Sequence, residues 1–306
     1  MQKVFIDGSA GTTGLRIYER LSSRSDIELI RLSEELRKDT EARREALNSA
    51  DIAFLCLPDA AAIEAVSLVV NKNTAVIDTS TAHRTAEGWE YGFAELKGRR
   101  ERIEASKRIA NPGCHASGFV ALIQPLVCAG IISPDILLSC FSLTGYSGGG
   151  KKMIAQYEDG GRAEALSAPA MYANSQTHKH LPEMSKICGL EKSPVFCPIV
   201  SDFYSGMQVT VPLHASQIRG SAEDIKALYR EYYCGGLVKY VEADPLASLY
   251  ANGLSFKDNM EISVCGNDDR ILLVSRFDNL GKGASGAAIQ NMNIIMGVPE
   301  ETGLSI

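Results

Sequence analysis

The sequence lacks the features that mark secreted, membrane-spanning or disulfide-stabilised proteins. Its eight cysteines include no C-x-x-C pair, and its most apolar stretch, residues 119–132, is interrupted by Gln124 and Pro125. That stretch is too short to cross a bilayer. The first residues, MQKVFIDGSAG, lack the long apolar segment of a secretory signal. We therefore expect a cytoplasmic protein whose cysteines are reduced thiols.

Neither positive nor negative charge is concentrated in any one segment of the sequence. The net charge is -6 with neutral histidines, and the chain has neither a basic block nor an acidic tail. This balance argues against nucleic acid or a membrane as the main partner, and a small anionic substrate would need a local pocket of Arg and Lys. The length of 306 residues, with 45% hydrophobic and 22% charged residues, is typical of a globular protein and suits two domains.

Short apolar runs alternate with helical patterns in the first part of the chain. The predicted strands cover residues 4–6, 27–32, 53–57 and 75–78, and the helices between them cover residues 15–21, 40–49 and 60–70. This alternation is typical of βαβ units that form a parallel sheet.

The pattern changes after residue 114. A long apolar helix over residues 115–129 is followed by predicted strands at 136–144, 208–213, 237–241, 260–264 and 270–277. Only one clear surface helix, residues 222–233, interrupts them, and a helix of small residues closes the chain at 283–296. A strand-rich segment with few crossover helices predicts a second domain with a mixed or antiparallel sheet.

A glycine-rich loop, DGSAGTTG, lies between the first strand and the first helix. In this context glycines let backbone N–H groups and a helix N-terminus hold a pyrophosphate. The spacing is G-x-x-G-x-x-G, so a tight turn without a ligand is the alternative. We expect a dinucleotide here, bound by Gly8, Ser9, Ala10, Gly11, Thr12, Thr13 and Gly14.

The end of the second strand decides between NAD and NADP. An acidic residue at this position would bind the ribose 2′-hydroxyl of NAD. Here the sequence IRLSEELRK offers Arg31, Ser33 and Arg37, with acids only at Glu34 and Glu35. Hydroxyl and cationic groups suit a 2′-phosphate, so the sequence predicts NADP, with Ser33 and Arg37 as its contacts.

Two further glycine clusters imitate nucleotide motifs. Gly281-x-Gly283-x-x-Gly286 fits the G-x-G-x-x-G pattern, but too few residues follow it for a βαβ unit. It can still contact a cofactor as a helix N-terminus. The stretch GYSGGGKK, residues 145–152, resembles a P-loop except that Lys152 replaces the Ser or Thr that would bind magnesium. We expect an anion-binding substrate loop there, with a flexible loop as the alternative.

Cys114 stands apart from the other cysteines. It follows Pro112-Gly113 in NPGCHASG, at the predicted start of a helix, and a helix N-terminus lowers the pKa of a thiol. The other cysteines lie in apolar segments (Cys56, Cys128, Cys140) or near polar turns without a helix start (Cys188, Cys197, Cys234, Cys265). Cys114 is therefore the candidate nucleophile, and a buried structural thiol is the alternative.

A catalytic thiol needs a group that moves protons. His115 is adjacent in sequence, but its side chain need not face Cys114. The segment THKHLPE brings together His178, His180 and Glu183, which suit acid–base chemistry with the carboxylate orienting an imidazole. A zinc site lacks further ligands and is not expected, and a polar surface turn is the remaining alternative. His83 and His214 are isolated, which is more typical of structural histidines.

Taken together, GSAGTTG, NPGC, THKHLPE and DNLGKGASGAAIQNMN resemble the N-acetyl-γ-glutamyl-phosphate reductases, in their short form. These motifs extend from residue 8 to residue 293. The resemblance implies NADPH-dependent reduction of N-acetyl-γ-glutamyl phosphate to N-acetylglutamate 5-semialdehyde through a Cys114 thioester, in arginine biosynthesis. The alternatives are a related acyl-phosphate reductase, acting on aspartyl phosphate or a carrier-linked aminoadipyl phosphate, and a non-catalytic NADP-binding sensor.

The resemblance also implies roles for particular residues. Cys114 is the expected nucleophile, His178 is preferred over His180 as the acid–base group, and Glu183 supports it. Further cofactor contacts are expected from Cys56, Leu57, Pro58, Asn279, Lys282 and Gly283. Substrate contacts are expected from Arg84, Asn111, Ser147, Gly148, Lys151 and Arg162.

The expected fold class is α/β. We predict a Rossmann-type NADP-binding domain formed by residues 1–114 and 282–306, and an α+β substrate-binding and oligomerisation domain over residues 115–281, with a mixed, largely antiparallel sheet. No metal is expected. The resemblance suggests a homodimer or a homotetramer.

Overall fold

The computed structural model describes all 306 residues as two compact units. The first unit contains Met1–Pro112 and Ala284–Leu304, and the second contains Gly113–Gly283 and Ser305–Ile306. None of the helices has the length and apolar character needed to cross a membrane.

The first unit is built on a six-stranded sheet. Its strands are β1 (Gln2–Asp7), β2 (Ile27–Ile30), β3 (Ile52–Leu55), β4 (Ala75–Asp78), β5 (Glu90–Tyr91) and β6 (Arg108–Ala110). Its first helices are α1 (Thr12–Leu21), α2 (Thr40–Ser49), α3 (Asp59–Leu68) and α4 (Arg99–Ala105). The strand order is β2-β1-β3-β4-β6-β5, and all neighbouring strands are parallel.

Apolar side chains leave both faces of this sheet. Val4 and Ile6 of β1 join a core that includes Ile17 of α1, whereas Phe5 joins a core that includes Leu47 of α2. Strands covered on both faces read as continuous apolar runs, which is why β1, β3 and β4 were recognisable in the sequence. Because β1 has β2 on one side and β3 on the other, the strand order reverses at β1, where α/β sheets bind ligands.

The second unit is built on an eight-stranded mixed sheet. Its helices are α5 (Cys114–Cys128), α6 (Gly150–Glu158), α7 (Leu181–Cys188) and α8 (Ala222–Tyr232). Its strands are β7 (Ser139–Gly145), β8 (Ala170–Met171), β9 (Val195–Ser201), β10 (Met207–His214), β11 (Cys234–Gly235), β12 (Val238–Tyr240), β13 (Met260–Gly266) and β14 (Arg270–Phe277). The order is β11-β12-β13-β14-β10-β7-β9-β8, antiparallel except at β12–β13 and β7–β9.

The fold-class prediction is confirmed, whereas the expectation of a single surface helix in the second half is wrong. Residues 145–152 do not form a flexible loop: a 3₁₀ turn, Tyr146–Gly149, leads into α6. Helix α7 was also missed, because it is short and has proline at its first turn, in a sequence typical of a polar turn.

The last helix, α9 (Gly286–Met296), belongs to the first unit. A π-helical turn, Gly281–Ser285, precedes it, and Gly297 ends it with a positive φ of 67°. The helix packs against α1, α4 and β4, and most of its side chains are buried. Its small residues therefore serve close packing inside the first unit.

Helix α5 lies close against the second sheet at Gly118. A Cβ at this position would lie 2.5 Å from Val209 Cγ2 and 2.7 Å from Ser275 Oγ. We expect Gly118→Ala to destabilise the protein by about 1–3 kcal/mol, because the helix must move away from β10 and β14. Urea unfolding followed by circular dichroism measures this change.

Gly160→Ala is the matched control, because nothing lies within 4 Å of a Cβ there. It should change stability by less than about 0.5 kcal/mol. Equal stability of the two variants would contradict the close packing at Gly118.

Candidate active site

The first unit contains a cavity of about 670 Å³ at the carboxyl end of β1. It is lined by five of the predicted cofactor residues, Gly8, Ser9, Ala10, Arg37 and Leu57. The volume is in the range of small-molecule and cofactor sites. Gly11, Thr12, Thr13 and Gly14 form the N-cap and first turn of α1. Ser33, Cys56 and Pro58 do not line the cavity.

The glycine-rich turn is tightly packed. Gly8 has a φ of +89°, and a Cβ on it would lie 2.3 Å from the Cys56 carbonyl oxygen. A Cβ on Gly14 would lie 2.4 Å from the Gly8 carbonyl oxygen. Only glycine fits these positions, so the turn brings the first N–H groups of α1 to the edge of the sheet.

Basic side chains gather at one end of this cavity. Arg31, Arg37 and Lys38 line it, with Glu34 as an acidic neighbour. Arg37 and Glu34 form an ion pair of 3.2 Å. Ser33 is directed elsewhere, because its side chain makes a hydrogen bond that lowers the pKa of Glu35. Lys38 is a contact that the sequence analysis missed, since it enters only through the 3₁₀ turn at residues 36–38.

A buried ion pair lies at the base of the cavity. Arg43 of α2 donates to Asp7 Oδ2 from Nε at 3.1 Å and from an Nη at 3.0 Å. Burial raises the pKa of Asp7, and the bonds from Arg43 act in the opposite direction. The pair joins α2 to the end of β1 and leaves no uncompensated charge at the base.

Arg84 and Asn111 are connected within the first unit. Arg84 Nε donates to the Asn111 carbonyl oxygen at 3.0 Å, and an Nη donates to the Thr79 carbonyl oxygen at 3.1 Å. His83 supports the same segment through a 2.6 Å contact with Asp78 and by stacking on Trp89. His83 is thus part of the structure around Arg84, as its isolation in the sequence suggested.

Cys114 is the first residue of α5, as predicted. Gly113 is its N-cap, and the Gly113 carbonyl oxygen accepts from the Ser117 backbone N–H at 2.8 Å. No acidic residue lies in the first turn of the helix. A Cβ on Gly283 would lie only 3.0 Å from Cys114 Cβ, so a side chain there would crowd the nucleophile.

The other cysteines are distributed between buried and exposed positions differently from the prediction, and none forms a disulfide. Cys128, expected in an apolar segment, is exposed at the end of α5, whereas Cys188, expected near a polar turn, is buried. Burial raises the pKa of Cys56 to about 12. It also raises the pKa values of Cys140 and Cys188.

Three histidines meet in the second unit. The ring centroid of His115 lies 5.5 Å from those of both His178 and His180, and the last two are 4.8 Å apart. His178 Nδ1 accepts from the His180 backbone N–H at 3.2 Å. Tyr172 and Phe196 complete the aromatic surroundings. His115 belongs to this cluster as well, although its position next to Cys114 did not point to the distant segment with His178 and His180.

Glu183 is buried and joins the start of α5. Its Oε1 accepts from the Gly113 backbone N–H at 2.8 Å. Glu183 is predicted from the sequence to orient an imidazole, whereas its contact with the residue before Cys114 is visible only in the structure. Within the second unit, Glu183 thus contacts the residue before Cys114, and His178 and His180 lie beside His115, the residue after it.

The other predicted site residues of the second unit fall into two sets. One set is connected around Asn279, and the other consists of Lys151 and Arg162. Asn279 donates to Ser147 Oγ at 3.0 Å and accepts from the Gly206 backbone N–H at 2.9 Å. Gly148 packs on Asn279, and Lys282 is completely buried. Lys151 is exposed, and Arg162 forms a two-point ion pair with Asp202.

Comparison with known proteins identifies the class of protein. Residues 3–106 match the NAD binding domain of the semialdehyde dehydrogenases, and residues 114–279 match their dimerisation domain. The aspartate semialdehyde dehydrogenase II of Vibrio cholerae has a similar structure, with a TM-score of 0.73 and 16% identity over 97% of this chain and 99% of that one. The enzyme of Candida albicans, solved with NADP, gives a TM-score of 0.69 at 17% identity, over 97% and 98% of the two chains. At such identities these likenesses establish the fold alone.

Relatives found by sequence have a higher identity to this chain than these solved structures. The chain is 43% identical to N-acetyl-gamma-glutamyl-phosphate reductase 2 of Nostoc sp., over 99% of both chains. It is 46% identical to the N-acetyl-gamma-glutamyl-phosphate reductase of Brucella ovis over 96% of this chain and 99% of the relative, and 44% identical to that of Trichormus variabilis over 99% of both. The chain therefore belongs to the semialdehyde dehydrogenase family, among the N-acetyl-gamma-glutamyl-phosphate reductases. The resemblance inferred from the sequence motifs is confirmed.

The burial of the thiols predicts which of them react. We expect Cys56, Cys140 and Cys188 to stay unmodified when the native protein is treated with limiting iodoacetamide at about pH 8, because raised pKa values leave little thiolate. Cys114 should be alkylated under the same conditions. Peptide mass spectrometry measures each site, and full reaction in urea is the control. Native modification of Cys140 as fast as that of Cys114 would contradict this picture.

Proposed function

We propose that this protein reduces N-acetyl-γ-glutamyl phosphate to N-acetylglutamate 5-semialdehyde and phosphate with NADPH, as a step of arginine biosynthesis. The observation that carries the proposal is the relationship of 43–46% identity to reductases of that name over nearly the whole chain. The cluster of Cys114 with His178, His180 and Glu183 supplies the chemistry that such a reaction needs. Because the reaction consumes NADPH and needs a reduced thiol, we place it in the cytoplasm.

Cys114 begins the reaction as a thiolate. It attacks the acyl carbon of the substrate, and backbone N–H groups at the start of α5 stabilise the tetrahedral oxyanion. Phosphate leaves, and the acyl group stays on Cys114 as a thioester. NADPH held at the glycine-rich turn of the first unit would supply the hydride that takes the thioester to the level of the aldehyde. The sulfur of Cys114 then departs as the aldehyde is released.

His178 is the proposed acid–base residue. Its Nδ1 accepts from the His180 backbone, so the neutral ring carries its proton on Nε2. From that atom it can donate a hydrogen bond to the oxygen of the tetrahedral intermediate, which stabilises the negative charge on that oxygen until the aldehyde forms. His180 is the alternative. Glu183 assists by fixing the turn at Gly113 on which the position of Cys114 depends.

The first unit fits NADPH. The packed glycines at residues 8 and 14 leave room for a pyrophosphate at the N-terminus of α1, where a side chain would not fit. Arg31, Arg37 and Lys38 suit a 2′-phosphate, and Glu34, an acid in the same lining, is paired with Arg37. We assign cofactor binding to the first unit and substrate binding and oligomerisation to the second. Asn279, Lys282 and Gly283 remain predicted cofactor contacts.

The substrate is anionic and needs cationic and polar contacts. Arg84, Asn111, Ser147, Gly148, Lys151 and Arg162 remain the proposed contacts. Arg84 is the favoured cation, because two backbone carbonyls hold its guanidinium in a fixed orientation. Arg162 is less suited, since Asp202 already neutralises it.

A spectrophotometric assay tests the proposal. N-acetylglutamate semialdehyde, phosphate and NADP⁺ should give NADPH absorbance at alkaline pH, at a rate well above that with aspartate semialdehyde. Cys114→Ser should reduce turnover at least about 10³-fold while NADPH still binds, because the serine hydroxyl lacks the nucleophilicity of a thiolate.

Cys128→Ser, at the exposed end of the same helix, is the matched control and should keep its activity. A folded wild-type protein without a phosphate-dependent signal would rule out the proposed reaction. A faster rate with aspartate semialdehyde would assign the chain to the related enzyme.

We propose that the second sheet mediates oligomerisation. Its face opposite α5 exposes Phe141, Met171, Val195 and Leu272, which are between 40% and 57% accessible. An apolar face of this kind is typical of a contact between subunits. A homodimer formed through it is the simplest assembly, and a homotetramer would require a second contact.

Phe141→Arg should convert the oligomer to monomer at low micromolar concentration, because a charge would be buried in the contact. Light scattering coupled to size exclusion measures the mass. Leu246→Arg is the control, since Leu246 is 95% exposed and lies outside the sheet. An unchanged mass for Phe141→Arg would place the contact elsewhere.

A further inference from the structure

His115 has no part in the reaction described above, yet it is buried beside the histidines that do. Both of its ring nitrogens are engaged by hydroxyl groups. Nδ1 lies 2.7 Å from Ser142 Oγ, and Nε2 lies 2.7 Å from the Tyr172 hydroxyl oxygen. The three side chains therefore form a continuous hydrogen-bonded chain from β7 to the segment after β8.

The burial of Ser142 determines the direction of these bonds. Ser142 is completely buried, and its hydroxyl has His115 as its one hydrogen-bond partner. A buried hydroxyl proton without an acceptor is costly, so Ser142 donates to Nδ1. The ring proton of His115 is then on Nε2, from which it donates to the Tyr172 oxygen. Consequently neither Ser142 nor His115 accepts the proton of the Tyr172 hydroxyl, which can donate to another group.

The surroundings of His115 keep it neutral. Burial, and secondly the neighbouring His178, lower the pKa of His115 to about 3. The groups that face it are His178, His180 and Tyr172, with the apolar ring of Phe196 on a further side. Because a pKa lowered this far keeps the ring uncharged at any higher pH, the hydrogen-bond pattern persists through neutral pH.

We propose that His115 is a positioning residue that makes the Tyr172 hydroxyl a hydrogen-bond donor to the sulfur of Cys114. Cys114 and His115 are neighbours at the start of α5, and Tyr172 contacts His115 directly. Burial and the nearby Cys114 raise the pKa of Tyr172, so its hydroxyl keeps its proton. A donor aimed at the sulfur stabilises the thiolate. The consequence for turnover rests on the proposed function, whereas the consequence for the thiol does not.

Imidazole nitrogen NMR of protein labelled with ¹⁵N-histidine tests the tautomer without any substrate. His115, assigned by its loss in His115→Phe, should show a protonated Nε2 and a bare Nδ1, unchanged between about pH 5 and 8. A protonated Nδ1, or titration within this range, would overturn the inference.

The pH dependence of Cys114 alkylation by iodoacetamide tests the positioning. Tyr172→Phe and His115→Phe should each move the midpoint for Cys114 upward by about one pH unit, and the double variant should move it no further. His115→Gln retains a donor toward Tyr172 and should recover part of the shift. Additive shifts of the midpoint in the double variant, or no shift in the single variants, would contradict the hydrogen-bonded chain from Ser142 through His115 to Tyr172.

Tyr233→Phe is the matched control, because it removes a buried hydroxyl that donates to α5 at the Ala121 carbonyl oxygen, 2.7 Å away. It should leave the midpoint in place. His115→Phe and Tyr172→Phe should also lower kcat about 10- to 100-fold with unchanged NADPH affinity. If wild-type protein gave no turnover, the proposed reaction would fail, while NMR and alkylation would still decide the role of His115.

Discussion

The hydrogen bond from the Gly113 backbone N–H to Glu183 is the contact on which the catalytic half of the molecule depends. It joins residues 70 positions apart and holds α7 against the turn before the nucleophile. The same contact brings an acidic side chain to the residue before the nucleophile, and a negative charge near a thiol disfavours its thiolate. The start of α5 and a donor from Tyr172 act in the other direction, so the reactivity of Cys114 reflects a balance of opposing local fields.

The first unit was the more predictable half, because its signals are local. The glycines at residues 8, 11 and 14 lie within one turn, and strands buried on both faces read as unbroken apolar runs. The role of Arg43 could not be read in this way. Its partner Asp7 is 36 positions away, and the pairing depends on how α2 packs against β1.

In the second unit the residue types were predictable and their partners were not. The segment with His178, His180 and Glu183 could be selected as the candidate acid–base group. That His115 would join it, and that Glu183 would bind Gly113, follows from pairings across the mixed sheet and between α5 and α7. Short helices with glycine or proline near their starts, such as α6 and α7, have weak local signals because packing rather than propensity stabilises them.

The close approach of Gly283 to Cys114 makes a position without any functional group sensitive to substitution. A methyl group there would press on the carbon that carries the nucleophilic sulfur. An alanine at residue 283 would require the chain around Cys114 to shift by a few tenths of an ångström. This position therefore links the backbone of the second unit directly to the placement of the sulfur.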